Sequence, residues 1–341
     1  MSKIECSKLN NLNDGEILNL RLCDLELEIA HTELQGYINQ LYKELKEKGL
    51  SFFPECYFAD EWLCPDGEPV IGIPFYLAHF RLKKLEEKFM GEVEGDTKSS
   101  CMALLRHETG HAYNYAYLLH RRKKWRQLFG PFSADYPERY RFRPYSKSFV
   151  RHLDDYYAQY HPDEDFAETF AVWLDPNSNW KEKYKGWKAL EKLEYIDKLM
   201  NEIKGKQPLI KKGKKYWAIN KSKLRLSNYY KRKREFYSED YPDFHDPQLK
   251  KIFSSIEKSE SKVDAASFIK KYRKQLLDTV SFWTKEKKYV VKRILKDLSK
   301  RSSQLNLYIS GSEIDTISKI TTYITSLIMT YIYTGRFKKR R

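Results

Sequence analysis

Two histidines stand four residues apart in the stretch LLRHETGHAYNYAY, with a glutamate directly after the first. On an α-helix, positions four apart lie about 40° apart around the axis, so His107 and His111 point the same way. Glu108 sits about 60° from His111 and turns its carboxylate toward the same side. The HExxH pattern is typical of zinc hydrolases, in which both imidazoles bind the metal. It predicts a metal helix that needs a third ligand from elsewhere in the chain.

The third ligand does not follow the metzincin pattern, because Asn114 and Tyr117 stand where that pattern has glycine and histidine. A better source is HPDEDFAETFAVWL, residues 161–174, whose apolar side chains predict a helix with a core-facing stripe. Glu164 falls at one edge of that stripe, and Glu168 lies one turn further along. We therefore predict Glu164 as the third zinc ligand and Glu168 as the acceptor for the outer nitrogen of a ligating histidine.

The neighbouring acidic residues have other predicted roles. Asp163 directly follows Pro162, which suits an N-cap or a first-turn charge near the positive end of a helix. Asp165 points about 100° beyond Glu164 and is predicted to face solvent. A pair of glutamates four apart is also common on solvated helices, so the metal site depends on the two helices meeting.

Charged residues are unevenly distributed along the chain. Residues 1–200 carry 28 Lys and Arg against 33 Asp and Glu, whereas residues 201–341 carry 35 against 14, within a formal net charge of +16. The basic part predicts either an anionic partner, such as nucleic acid or an acidic surface, or a well-solvated helical surface. We predict three regions, which are a zincin-like domain over 1–205, a basic connector over 206–245 and a basic helical domain over 246–341.

A short β-rich section precedes the metal helix. The runs SFFPECYFADEW and VIGIPFYL flank the turn-forming residues CPDGEP, which predicts a hairpin. Pro74 should confine the second run to a sheet edge. A substrate peptide that added to this edge as a strand would bind at Gly72 and Ile73. With the helices on either side, the section predicts an α+β fold in the first domain.

The cysteines and apolar stretches bear on the compartment. Five cysteines without a CxxC pair argue against a disulfide framework and a cysteine zinc site, and fit a reducing compartment. The most apolar segment, residues 320–335, is too short to span a membrane. Its apolar residues continue a helical spacing from Ile314 to Tyr331, which predicts an amphipathic helix that faces the core. We therefore predict no transmembrane segment. We expect a cytoplasmic protein.

The motifs also carry a resemblance. LLRHETGHAYNYAYLLHRRKKWRQLFG followed by YYAQYHPDEDFAETFAVWL resembles the zinc-binding metallopeptidases of the gluzincin type, a bacterial group with an HExGH helix and an HPxEDxAETxA helix. The similarity extends through LRLCDLELEIA and GIPFYLAHFRL, so it covers residues 14–200. It implies a zincin-like fold of the α+β class with one zinc ion per chain.

The resemblance implies roles for several residues. His107, His111 and Glu164 match the ligands of gluzincins, and Glu168 matches the acidic residue four positions later. In some gluzincins a tyrosine seven residues before the third ligand helps to stabilise the reaction, and Tyr157 stands at that position here. His161 also lies in the family stretch, where capping, a contact behind a metal ligand and a substrate contact all stay open.

The predicted function is a zinc metallopeptidase that hydrolyses peptide bonds, with Glu108 as general base and then general acid. One alternative is a zinc hydrolase of a non-peptide amide. Another is an anion- or nucleic-acid-binding protein with a structural or vestigial zinc. A structural zinc would be closed by a fourth side chain, for which the candidates are His120, His152 and His161.

Overall fold

A computed structural model describes residues 9–137, 143, 145–236, 245–255 and 263–334. The chain forms two compact units. The first comprises Met1–Leu85, Val93–Pro137 and Arg141–Tyr229, and the second comprises Glu86–Glu92, Glu138–Tyr140 and Tyr230–Arg341. Most described residues are helical and the sheets are small, which confirms the α+β class in its coarse form.

The first unit is built mainly from helices. Its strands are β1 (Glu55–Ala59) and β2 (Val70–Pro74), and its helices are α1 (Asp14–Asn19), α2 (Leu34–Glu47), the start of α3 (Phe80–Met90), α4 (Lys98–Ala116), α5 (Lys123–Phe129), α6 (Pro162–Leu174), α7 (Trp180–Lys183), α8 (Ala189–Ile203) and the start of α9 (Leu226–Phe236). Short 3-10 turns lie at Leu22–Leu25, Ile29–His31, Phe75–Ala78, Leu119–Arg121, Asp154–Gln159 and Ile219–Lys221. The predicted metal helix and the predicted helix after His161 are thus confirmed as α4 and α6.

The two strands pair in parallel, with Glu55 opposite Val70 and Ala59 opposite Pro74, so the predicted hairpin between them is wrong. The turn itself is present, since the Glu68 N–H donates to the Pro65 carbonyl. However, the chain also reverses between β1 and Leu63, before this turn. Leu63 is therefore the antiparallel partner of β2, and β1 pairs with the other side of β2.

This arrangement corrects the expected substrate edge at Gly72 and Ile73. The Gly72 N–H donates to the Leu63 carbonyl at 2.8 Å, and the Leu63 N–H donates to the Gly72 carbonyl at 3.2 Å. A Cβ atom on Gly72 would lie 2.4 Å from Cδ2 of Leu63, and Ile73 is fully buried. Leu63 of the chain itself therefore occupies the edge that a peptide was expected to join.

Helices α4 and α6 form the centre of the first unit. Helix α4 begins with a capping box, in which Thr97 accepts from the Ser100 N–H, and nearly all its residues after Cys101 are buried. The helices approach closely at Gly110, where a Cβ atom would lie 2.7 Å from the Ala167 Cα. The glycine of the HExGH pattern thus permits the contact that brings the two motifs together.

Two buried ion pairs fix these helices. Arg106 donates to both carboxylate oxygens of Glu44 on α2 at 2.8 Å. Lys192 on α8 donates to Asp165 on α6 at 2.6 Å and to the Ser148 carbonyl at 2.7 Å. Asp165 was predicted to face solvent, and this prediction is wrong because α8 covers that side of α6 and supplies the cation.

The predicted connector is also divided differently. Residues 206–229 belong to the first unit, where the Leu209 and Ile210 N–H groups donate to the Ala116 carbonyl at the end of α4. Ala218 packs in a small core cluster with Tyr57, Ala59 and Val70. The first unit therefore extends past the predicted boundary at 205, because a polar, lysine-rich segment still supplies backbone partners and one apolar contact.

The second unit has its own core. Its described elements after α9 are α10 (Asp246–Ile252), β3 (Phe253–Ser255), α11 (Ala265–Lys271), α12 (Arg273–Thr284), α13 (Lys288–Gln304), β4 (Leu307–Ile309) and α14 (Glu313–Thr334), with β3 and β4 antiparallel. Ile320, Ile324 and Ile328 of α14 are buried in that core as predicted, whereas Ile314 is 81% exposed. Among the described helices, none combines the length and apolarity needed to span a bilayer.

Candidate metal centre

Three side-chain atoms converge between α4 and α6. The Nε2 atoms of His107 and His111 lie 3.1 Å apart, and each lies 3.2 Å from Oε2 of Glu164. Three atoms that bind one tetrahedral zinc ion at ~2.0–2.1 Å stand roughly 3.3 Å apart. The observed triangle therefore has the dimensions of three corners of such a site.

The outer ring nitrogens show why this triangle suits a cation. The Nδ1 atom of His107 lies 2.8 Å from Glu168, and the Nδ1 atom of His111 lies 2.9 Å from Asp163. A carboxylate only accepts, so each histidine carries a proton on Nδ1, and in the neutral ring the lone pair of Nε2 points inward. Two lone pairs and a carboxylate oxygen then face one another in a buried space. A metal ion would neutralise that repulsion, and the residues fit it.

Glu168 contacts the outer nitrogen of His107. Its Oε1 atom accepts from Nδ1 of His107, while its Oε2 atom accepts from the Leu153 N–H at 2.9 Å. The side chain is 1% exposed. Both oxygens are therefore fixed, and the carboxylate sets the tautomer and the orientation of the His107 ring.

Asp163 holds the second histidine, a role that the sequence analysis missed. Its Oδ2 atom accepts from Nδ1 of His111 and from the Tyr115 hydroxyl at 2.6 Å, and its Oδ1 atom accepts from the Asn114 amide at 2.6 Å. The three donors lie on α4 at His111 and at the third and fourth positions after it. That spacing places three polar side chains on the face of α4 that carries the histidines, and it could have indicated a polar partner such as Asp163.

Charge couples these groups when protons rather than metal occupy the site. Burial opposes the charged form of His107, but the hydrogen bonds to Glu164 and Glu168 raise its pKa to about 9. Burial likewise opposes a charge on His111, whose pKa the carboxylates of Asp163 and Glu164 raise well above the usual range. A metal ion must therefore displace protons from both rings, which makes its binding depend on pH.

The second oxygen of Glu164 is also engaged. The Tyr136 hydroxyl donates to Oε1 at 3.0 Å, and the Tyr157 hydroxyl lies 3.4 Å from the same atom. Tyr157, which was predicted to stabilise the reaction, thus contacts the third ligand, and its ring centre lies 5.6 Å from that of His107. Tyr136 was not predicted, because the segment around it has no helical or strand pattern to place it.

The other histidines near the site have separate partners. His161 is the N-cap of α6, where its Nδ1 atom accepts from the Asp163 N–H, and its Nε2 atom lies 2.8 Å from the Ala134 carbonyl. His152 contacts the Ala103 carbonyl at 2.9 Å, and the His120 ring stacks on Phe132. Among the described residues, the group of converging ligand atoms contains His107, His111 and Glu164 alone. None of the three candidate histidines closes it.

Glu108 lies beside this group. It is 7% exposed, and no hydrogen bond to its carboxylate is found among the described side chains and backbone groups. Burial raises its pKa, and the neighbouring His107 and His111 partly offset that rise. The geometry therefore provides a buried carboxylate of increased proton affinity next to three side chains that could hold a metal ion.

Comparison with known proteins agrees with the site. Residues 95–198 match the model of a family described as "Putative zinc-binding metallo-peptidase". This stretch contains both histidines, Glu108 and Glu164, so the resemblance drawn from the two motifs is confirmed there, while the gluzincin grouping stays a prediction. The search of curated proteins and the search of solved structures gave no match.

Proposed function

We propose that the chain is a zinc-dependent metallopeptidase in which His107, His111 and Glu164 hold one zinc ion. The observation that carries the proposal is the triangle of ligand atoms at 3.1–3.2 Å, with a carboxylate behind each imidazole. Three side chains would hold the zinc and leave one further ligand position for water or substrate, as catalytic zinc sites do. Bound zinc supplies Lewis acidity, which lowers the pKa of water and polarises a carbonyl.

The chain's own residues would handle the protons. Glu108 takes a proton from the attacking water and returns it to the leaving amine, for which a carboxylate of raised pKa is suited. The Tyr157 hydroxyl lies close enough to the third ligand to donate to the oxyanion of the tetrahedral intermediate. Glu168 and Asp163 keep both imidazoles oriented while charge develops.

Replacing Glu108 tests this assignment. In Glu108→Gln the amide keeps the shape of the side chain but accepts no proton, so peptide hydrolysis should fall by about 10²–10⁴-fold. Zinc should still bind in a 1:1 ratio, as measured by atomic absorption after dialysis. The matched control is Glu194→Gln on the exposed side of α8, which should leave both quantities unchanged. Full hydrolysis by a zinc-loaded Glu108→Gln protein would contradict the proposed mechanism.

The bond that is cleaved needs its own assay. A peptide library and a panel of non-peptide amides, both assayed with zinc-loaded protein, separate a peptidase from another amide hydrolase. The anionic partner predicted for residues 206–341 stays a prediction. Salt-dependent binding of nucleic acid by the full chain is its test.

A further inference from the structure

Tyr136 divides the two oxygens of the third ligand between different tasks. Oε2 of Glu164 faces both histidines at 3.2 Å, whereas Oε1 accepts from the Tyr136 hydroxyl at 3.0 Å. A zinc-bound carboxylate can bind through one oxygen or through both. A strong donor on one oxygen favours binding through the other alone. The Tyr136 hydroxyl is therefore placed to decide how many positions Glu164 occupies.

The position of Tyr136 is itself fixed from α6. Its ring stacks on the His161 ring, with centres 4.0 Å apart and planes at 12°. The Nδ1 atom of His161 accepts from the Asp163 N–H at 3.1 Å, so its Nε2–H donates to the Ala134 carbonyl at 2.8 Å. Ala134 lies two residues before Tyr136. His161 thus caps the helix that carries Glu164, holds the segment around Ala134 and supports the Tyr136 ring.

Tyr157 is the weaker donor to the same oxygen. Its hydroxyl lies 3.4 Å from Oε1, near the limit for a hydrogen bond, against 3.0 Å for Tyr136. A tyrosine hydroxyl ordinarily keeps its proton at neutral pH, so Tyr136 donates to the carboxylate. The two tyrosines therefore differ in role. Tyr136 is positioned to hold Glu164, while Tyr157 contacts the same oxygen at a longer distance.

We propose that Tyr136 is a positioning residue that keeps Glu164 a one-oxygen ligand, and that His161 supports it. The proposal rests on the metal site of the proposed function. If both Glu164 oxygens bound the metal beside a water molecule, the ion would have five contacts and the position for substrate would be crowded. Tyr136 therefore keeps the remaining ligand position accessible to substrate, although it does not contact the reacting atoms.

The test compares Tyr136→Phe with Tyr145→Phe, a control that removes a hydroxyl from a side chain that is 91% exposed. Zinc affinity is measured by competition with a chromogenic chelator, and the coordination number by the visible spectrum of the cobalt(II) protein. Tyr136→Phe should bind zinc about 10–100-fold more weakly. Its cobalt spectrum should shift toward that of a five-coordinate ion, while Tyr145→Phe should match the unchanged protein in both.

His161→Asn is a second variant. Asparagine is a good N-cap, so α6 keeps its start while the ring beneath Tyr136 is lost. The spectrum should change in the same direction as in Tyr136→Phe, but less. Wild-type affinity and spectrum in both variants would overturn the inference. If the unchanged protein binds zinc but cleaves no peptide, the proposed function fails while this comparison still decides the role of Tyr136. If it binds no metal, both fail.

Discussion

Asp163 illustrates how a single carboxylate sets the tautomer of a candidate metal ligand, His111. It accepts hydrogen bonds from His111, Tyr115 and Asn114, all on α4, although it lies in the first turn of α6. A helical wheel gives the angle of a residue around its own axis, but it gives no partner on another helix. The wheel therefore placed Glu164 and Glu168 on the side of α6 that meets the two histidines, yet assigned Asp163 to the end of its own helix.

Asp163→Asn tests this role at the scale of one residue. The amide retains one acceptor oxygen but loses the negative charge that stabilises the Nδ1 proton of His111. Its amino group would also face a donor. Zinc affinity should fall by about 10–100-fold, as measured by chelator competition. Asp135→Asn, on an exposed side chain, is the control. Equal affinities of the two variants would show that Asp163 does not tune the ligand.

The misplacement of Asp165 has a related cause. The stripe argument treated every position beyond the apolar face as solvated, but α8 lies over that position and brings Lys192 within 2.6 Å. Burial raises the pKa of Asp165 and the lysine opposes the rise. Periodicity within one helix cannot reveal a second helix that packs from 27 residues away in the chain.

At the scale of elements, the contact between α4 and α6 depends on one missing side chain. An alanine at position 110 would place its Cβ 2.7 Å from the Ala167 Cα and 3.0 Å from the Ala167 carbonyl oxygen. Both atoms belong to the backbone, which cannot turn aside. The helices would have to separate, and that movement would carry Glu164 away from the two histidines.

Gly110→Ala should therefore destabilise the protein by about 1–3 kcal/mol through overpacking, despite the better helix propensity of alanine. It should also weaken zinc binding. Gly36→Ala on α2 is the matched control, because its methyl group would meet no atom within 4 Å beyond the neighbouring backbone of its own helix. This change should stabilise the protein by about 0.5–1 kcal/mol. Urea unfolding measures both. A stabilised Gly110→Ala protein would refute the close-contact argument.

The helices were predictable from the sequence, whereas the strand pairing was not. The two motifs placed α4 and α6, and the apolar spacing from Ile314 to Tyr331 placed α14. The turn at CPDGEP was also correct. The antiparallel partner of β2 is Leu63 rather than β1, because the chain bends between Ala59 and Leu63. Local turn residues indicate where a chain reverses, but they do not determine which strand lies beside it.

At the scale of the whole molecule, the candidate metal site and the basic helical region belong to different compact units. The second unit has a separate hydrophobic core, formed by α10 to α14 and the strand pair. Six of the seven tryptophans precede residue 230, and the seventh is Trp283. Tryptophan fluorescence therefore reports mainly on the unit that holds the metal site.

Chelation should affect that unit selectively. Free zinc at 1,000 times its Kd stabilises the folded unit by about 4.1 kcal/mol, so EDTA should lower the Tm seen by fluorescence. Far-UV circular dichroism should retain a component whose Tm does not change, from the second unit. Glu164→Gln, which lacks one ligand, should respond little to EDTA. A fluorescence transition that ignores the chelator in the unchanged protein would contradict a stabilising metal in the first unit.

The second unit combines Glu86–Glu92 with the chain after Tyr229, so it is encoded by separate segments of the gene. Within it, Phe89 stacks on Tyr230 with ring centres 4.6 Å apart, and Lys233 donates to Glu86 at 2.9 Å. Neither unit corresponds to one uninterrupted piece of the gene. Recombination that transferred only the basic C-terminal region to another protein would lose both contacts, so we expect descendants of this gene to keep the two halves together.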